Sequence, residues 1–400
     1  MRFNRNRLKL NFLFLTIFSF VIFGSFLFIQ KIYSLQFIES DYFENQALSY
    51  RERVEVLEAK RGTIYDKHFN VLASSIQSYN VAVKPNEISD LSFVKVLSPI
   101  LGIDENKILK KISQNPTFFY LKRNVEFETG QKIKSWNYKG VHLEQSNKRN
   151  VYDESTSNLI GLVDPDGNGI EGIELYFDNH LQGENGELRY ESAPNGAIIP
   201  QGEIKTIQPK HGEDLILSID SELQYLTENL CNNALIDTGA FKCSVVFANS
   251  LTGEVLISSE VSSSDNKYFN IDLISLRANY EPGSALKIFT IGSLLDSDHV
   301  NEKKSYLVED EIEIIEGSCN DNYEGLQGCF KDFLKHEPLN ITVEEIIERS
   351  SNVGTIKIVN NSNIDNVEEF LKKFGFGSKT GVELSGESKG SFTEYNTCKT

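Results

Sequence analysis

Ser284 and Lys287 stand three residues apart, directly after Pro282-Gly283. On a helix, positions i and i+3 share a face, so the lysine amine can reach the serine hydroxyl. A serine is a poor nucleophile until a nearby group takes its proton, and a desolvated lysine can be that group. Residues 285–295 are apolar nearly all round, which predicts a helix sunk in a core. Burial of that kind lowers a lysine's pKa. The same Ser-x-x-Lys spacing occurs at Ser92/Lys95 and Ser264/Lys267, where neither flank reads as a buried helix start. A second element, Ser350-Ser351-Asn352, follows a helix with its own start signal. There Thr342 and Glu345 can form a capping box, and Val343, Ile346 and Ile347 supply an apolar face. Ser350 and Asn352 alternate about Ser351, so an extended or looped backbone points both into one cleft. A serine beside a lysine, with two further polar groups facing one cleft, could make an activated nucleophile.

Ser-x-x-Lys and Ser-x-Asn are two of the three active-site elements of penicillin-binding proteins and serine β-lactamases. The flanks YEPGSALK and SSNVGTIK resemble penicillin-binding proteins in particular. The resemblance implies a peptidoglycan D,D-transpeptidase of class B, cross-linking stem peptides through a serine acyl-enzyme in septal or lateral wall synthesis. It implies Ser284 as nucleophile, Lys287 as general base, Ser350 as proton relay to the leaving amine, and Asn352 as a holder of peptide backbone. β-Lactams would trap Ser284, and no metal or organic cofactor is implied. Inner-membrane wall-synthesis proteins, a glycosyltransferase and the divisome among them, are the implied partners. Two other readings share the motifs: a non-catalytic cell-wall scaffold, and a β-lactam sensor or β-lactamase. The run Gly161–Glu187 and the Phe374–Gly377 segment look more like division-type members.

These residues need positioning elements. The resemblance implies an α/β serine transpeptidase domain over residues 210–400, an antiparallel sheet packed between helices. Asp214–Ile219 alternates like a strand, Asp220 or Ser221 can cap a helix through Leu230, and Cys243–Ala248 reads as a strand turning at Thr252-Gly253. Residues 53–205 resemble the family's mixed α+β pedestal, a dimerisation-type domain. It opens with Arg61-Gly62-Thr63-Ile64-Tyr65-Asp66, and Asn70 is expected to take the left-handed turn position. Gly-rich residues 161–187 could cradle phosphate, but Asp164, Asp166, Glu171 and Glu174 would repel it.

The family's third element is Lys-Thr-Gly on a strand. Lys379-Thr380-Gly381 follows a glycine loop and is read as a look-alike outside any strand. No later apolar run closes the sheet, so the domain is expected to be C-terminally incomplete. Leu286, Phe289, Ile291 and Leu294 are then expected to lose part of their cover.

Composition bounds the rest. The formal net charge is −17, and Arg2, Arg5, Arg7 and Lys9 leave about −21 on the remainder (−17 − 4). An acidic body without a basic cluster argues against nucleic acid. Six histidines are scattered without ligand spacing, which argues against a metal. Residues 10–29 carry no charge and at 1.5 Å each span about 30 Å, a bilayer's hydrocarbon core. Residues 1–30 are thus expected to be a basic tail and single-pass anchor, and 31–52 a helical stalk. The positive-inside rule puts the N-terminus in the cytoplasm and the body in the periplasm or outside, anchored in the inner (cytoplasmic) membrane. Cys319 and Cys329 are the best disulfide pair, Cys231 and Cys243 read as buried apolar fillers, and Cys398 is the odd one.

Overall fold

The computed structural model describes residues 3–193, 197–200, 204–263, 273–320, 328–362 and 365–391. A helix runs from Phe3 to Tyr33, its described side chains almost all exposed and apolar, and ends in a π turn at Ser34–Ile38. Ser40–Arg51 continues as helix, as expected of a stalk.

The pedestal strands are β1 (Glu52–Leu57), β2 (Ile64–Tyr65), β3 (Val71–Val83), β4 (Phe119–Glu126), β5 (Val141–Val151), β6 (Gly186–Glu191) and β7 (Ile204–Ile207). Strand β3 is paired antiparallel with β4 on one side and β5 on the other. It buries Tyr79 and Val81–Val83, and Phe93, Leu97, Leu101, Ile108 and Ile133 from the flanking helices close that core. Ser92 does start one of these helices (Ser92–Leu101), contrary to the reading of its flank. Yet Ser92 and Lys95 are both exposed, so that spacing lies on a solvent face.

The hairpin turn after Asp66 differs from expectation. Phe69, not Asn70, takes the left-handed conformation (φ 65°). The Asp66 carboxylate decides this, because it accepts from the His68 and Asn70 N–H groups and from Asn70 Nδ2, all at 2.8–2.9 Å. It also accepts from the Ser221 hydroxyl at 2.7 Å, which ties the pedestal to the next helix.

Strand β8 (Leu215–Ile216), expected to open the second domain, pairs in parallel with β2 of the pedestal sheet. The helix Ser221–Thr238 is capped by Asp220 and runs two turns past Leu230 to a left-handed Gly239. It packs on the hairpin of β9 (Lys242–Ala248) and β10 (Val255–Ser262). Cys231 and Cys243 are joined in a disulfide and are not free apolar fillers. The reason is the return of the chain: the helix ends two turns after Cys231 and β9 runs back along it, bringing the two Cα atoms to 5.5 Å. Cys319 pairs with Cys329 as expected, and Cys398 lies outside the described residues.

The last core joins the elements that carry the site. Ile291 and Leu294 of the Leu286–Asp296 helix meet Ile346 of the Val343–Glu348 helix and Val353 and Ile358 of the Asn352–Asn360 helix. Val308 of β11 (Ser305–Val308) and Ile341 add to it. Ile291 and Leu294 are fully covered, so the expected loss of cover does not fall on them. Phe289 is half-covered by the rings of Phe374 and Phe376, at 5.2 and 5.0 Å. Ile288, on the opposite face, remains 64% exposed, so the helix is buried along one side and not all round.

Candidate active site

Gly283, at φ 60°, turns the chain into a single 3-10 turn, Gly283–Ala285, and the α-helix starts only at Leu286. Ser284 is therefore exposed on the tight turn ahead of the helix, and its hydroxyl makes no hydrogen bond with a described residue. Lys287 lies in the first helical turn. Its Nζ donates to the Ser350 carbonyl at 2.6 Å, to Ser350 Oγ at 3.3 Å and to Asn352 Oδ1 at 2.6 Å. The structure thus brings Lys287, Ser350 and Asn352 together and leaves Ser284 beside them, unpaired with the amine.

The Ser-x-Asn segment is a double cap. Thr342 and Glu345 form the expected capping box at the start of the Val343–Glu348 helix. At its end the Ser350 N–H donates to Ile347 O and the Ser351 N–H to Ile346 O, each at 3.0 Å. That is the paired closure of a Schellman motif, with Ser350 at the position glycine usually holds. Ser350 accordingly sits at φ 51°, a conformation costing a non-glycine residue about 1–2 kcal/mol. The strained backbone aims both its carbonyl and its hydroxyl at Lys287. Ser351 then caps the next helix, its Oγ accepting from the Gly354 N–H at 2.8 Å. A Cβ on Gly354 would stand 2.8 Å from Ile346 carbons and 2.9 Å from Ser351 Oγ, so only glycine fits there.

Burial pushes the Lys287 ammonium below its usual range, and the negative charge of Asp332 acts against that shift. Asp332 is a residue the sequence reading missed. It follows β13 (Cys329–Lys331), which pairs with β12 (Glu311–Glu313). Its carboxylate accepts from the Ser351 hydroxyl at 2.7 Å and the Val353 N–H at 3.0 Å. Burial would raise its pKa, but these bonds and those from His336 and the Asn352 backbone outweigh it and hold the group below the usual range. No motif or periodicity marks it; only the packing of β13 under the cap does.

Lys379-Thr380-Gly381 lies in a loop, outside any strand. Glu387 accepts from the Thr380 N–H and hydroxyl at 2.6 Å and from the Gly381 N–H at 3.3 Å. Glu174, read as repelling anions, is buried in the pedestal between two arginines. Arg61 Nε and Arg149 Nε reach its two oxygens at 2.5 Å, and Arg61 also meets Asp178 at 2.6 Å. Among the described residues, Glu311, Cys319 and Cys329 come close enough together to suggest a metal, but the disulfide occupies both sulfurs.

A pedestal followed by a hairpin-and-helix unit, with a Ser-x-x-Lys turn set against a Ser-x-Asn double cap, is the arrangement of a dimerisation-type domain joined to a transpeptidase-type domain. The chain belongs to the penicillin-binding protein family: residues 56–217 match the penicillin-binding protein dimerisation domain and residues 243–399 the transpeptidase domain. It is 30% identical to the peptidoglycan D,D-transpeptidase FtsI of Buchnera aphidicola, over 95% of this chain and 67% of that one. It is 26% identical to stage V sporulation protein D of Bacillus subtilis, over 89% of this chain and 55% of that one. A peptidoglycan synthetase from Bifidobacterium adolescentis superposes with TM-score 0.58 at 25% identity, covering 87% of this chain and 67% of its own. The penicillin-binding protein PBP2 of Helicobacter pylori, solved with MreC, shares the fold with TM-score 0.63 at 19% identity, covering 84% and 68%. The chain spans between about half and two thirds of the length of the curated relatives. One described helix is long and apolar enough to cross a membrane, Phe12–Ile38, and it fits a single-pass anchor.

Proposed function

We propose that this chain carries the acylation machinery of a peptidoglycan D,D-transpeptidase, with Ser284 as nucleophile and Lys287 as its base. The observation that carries the reading is the convergence of Lys287 Nζ on Ser350 Oγ and Asn352 Oδ1, three residues from an exposed serine on a tight turn. An amine with three oxygen neighbours is held as an ammonium; burial favours its loss of a proton. Once neutral it offers a lone pair, and the Ser350 hydroxyl at 3.3 Å can turn to donate to it. Ser284 Oγ then attacks the carbonyl between the terminal D-alanines of a stem peptide, passing its proton to Lys287. Ser350 relays a proton to the departing D-alanine amine, and the amine of a second stem peptide releases the acyl group. The Ser284 N–H at the turn is placed to donate to the developing oxyanion. Contacts between Lys287 and Ser284 tighten on substrate binding, as resting catalytic hydrogen bonds are commonly long.

The anchor reading extends to orientation. Four basic residues before position 10 favour a cytoplasmic N-terminus and an extracytoplasmic body. Membrane-bound wall-synthesis proteins are the fitting partners, in keeping with the MreC complex of the Helicobacter neighbour.

The test is covalent labelling with a fluorescent penicillin followed by peptide mapping. Label is expected on Ser284 alone and should vanish in Ser284→Ala. Labelling that persists in that variant refutes the assignment.

A further inference from the structure

Asp332 has no part in the reaction proposed above, yet it grips the Ser-x-Asn cap from below. Its side chain is 9% exposed, with Oδ2 on the Ser351 hydroxyl (2.7 Å) and Oδ1 on the Val353 N–H (3.0 Å). Beside it, the Lys331 carbonyl accepts from Asn352 Nδ2 at 2.8 Å, which turns Asn352 Oδ1 toward Lys287. The Cys319–Cys329 disulfide closes the hairpin immediately before these two residues.

His336 completes the arrangement. Its Nδ1 lies 2.8 Å from the Glu337 carbonyl and its Nε2 3.2 Å from Asp332 Oδ2. Both partners can only accept, so each ring nitrogen must carry a proton to satisfy them, and only the imidazolium has two. Asp332 and His336 are therefore an ion pair under the cap wherever the imidazole is protonated, and these contacts raise its pKa.

We propose that Asp332, paired with His336, is the positioning residue of this site: it fixes Ser351 and the first turn of the Asn352–Asn360 helix, and through them the Ser350 and Asn352 oxygens that hold Lys287. The consequence for rate rests on the acyl-transfer reading; the consequence for Lys287 itself does not. The negative charge of Asp332 keeps Lys287 more basic than burial alone would leave it. The remaining charge on this strand, Lys331, is turned to Glu311 at 2.9 Å.

Asp332 acts on Lys287 by charge and through the cap, His336 only through its hold on Asp332. The test compares Asp332→Asn and His336→Gln in the full chain, reading the Lys287 13Cε titration by NMR and the penicillin acylation rate against pH. Asp332→Asn should move the Lys287 midpoint down and, by loosening the cap, lower the plateau acylation rate by up to about 100-fold. His336→Gln keeps the carboxylate and removes only its ring partner, so it should lower the plateau rate through the loosened cap while leaving the Lys287 midpoint in place. Simple loosening of the fold would shift both variants the same way, and that outcome, or an unmoved midpoint in folded Asp332→Asn, overturns the proposal. A lowered midpoint confined to Asp332→Asn, in a protein that penicillin never acylates, would uphold the positioning role and sink the transpeptidase reading instead. Should Asp332→Asn fail to fold, His336→Gln still decides by hydrogen exchange: Val353 and Gly354 amides that exchange no faster than in the parent protein overturn the pair.

Discussion

In the proposed reaction Lys287 must be both held and basic, and the surrounding groups serve these needs in opposite directions. Burial lowers its pKa and Asp332 restores part of it, so the neutral, proton-accepting amine is reached at a pH below that of an ordinary lysine. Penicillin acylation is expected to rise with pH through that depressed value, and Lys287→Ala should cost about 10²–10⁴-fold in acylation rate with the fold intact. Ser350 separates stability from chemistry. Its left-handed backbone is strained, so Ser350→Gly should leave thermal stability unchanged or raise it by about 1 kcal/mol while lowering acylation. A variant that loses stability along with activity would show that the hydroxyl, not the backbone, closes the cap. The imidazolium of His336 gives a pH signature of its own. Its pKa is raised, chiefly by the Glu337 carbonyl and then by Asp332. The stabilisation it brings is complete below the pKa of a free histidine and fades as pH rises through the raised value.

Helix packing sets where these side chains stand. Ile346 is fully buried between the Leu286–Asp296 helix and the cap, and its end carbonyl receives the Ser351 N–H. Ile346→Ala should therefore cost about 2–5 kcal/mol in denaturant unfolding and weaken acylation at temperatures where the domain is still folded. Gly354→Ala forces a methyl against Ile346 and the Ser351 hydroxyl and should act on the same cap without removing a polar group. In the pedestal, Asp66 plays the corresponding part. Its burial opposes ionisation, yet bonds from Ser221, Asn70 and His68 bring its pKa down to about 2. A depressed carboxyl stabilises the fold above its unfolded value of about 4, and that contribution is lost as pH falls from there toward 2. Acid unfolding followed by fluorescence should lose this step in Asp66→Asn.

Across the whole molecule, the unit that matches the transpeptidase domain is tied to the pedestal at several points. Strand β8 enters the pedestal sheet, Leu384 packs on the pedestal core around Ile64 and Leu72, and Arg277 reaches Glu171 at 3.5 Å. Within the pedestal, Glu174 shared by Arg61 and Arg149 is a buried charge that is stable only while both arginines remain. Glu174→Gln is expected to destabilise the protein by about 3–5 kcal/mol, measured by urea unfolding, because it removes the ion-pair partner of buried Arg149 and leaves buried Arg61 with Asp178 alone. At the other end, removal of residues 1–38 should move the protein from the membrane pellet to the soluble fraction. A phosphatase reporter fused after Glu39 should be active only outside the cytoplasm; activity inside would reverse the orientation.

The sequence by itself determined the local features. The Ser284–Lys287 and Ser350–Asn352 segments were legible as motifs because residue spacing and a capping box are short-range facts, though the Lys287–Ser284 contact read from helix spacing is not formed; the apolar N-terminal run and the Cys319–Cys329 pair were legible likewise. Hairpin and helix order in the second unit followed from alternation and turn residues, since each needs only a few neighbouring positions. What required distant parts of the chain was decided by the tertiary structure. Cys231 meets Cys243 because a helix and a strand pack side by side, and Phe69 rather than Asn70 turns left-handed because Asp66 collects the neighbouring N–H groups. Glu174 lies inside rather than at a loop mouth because Arg61 and Arg149, from separate strands and loops, converge on it. Lys287 turned to Ser350 instead of Ser284 because a 3-10 turn precedes its helix and the cap's oxygens stand closer. Asp332 had no sequence signal at all: its role comes from a disulfide-closed hairpin laid under a helix start, a contact between segments that no local pattern encodes.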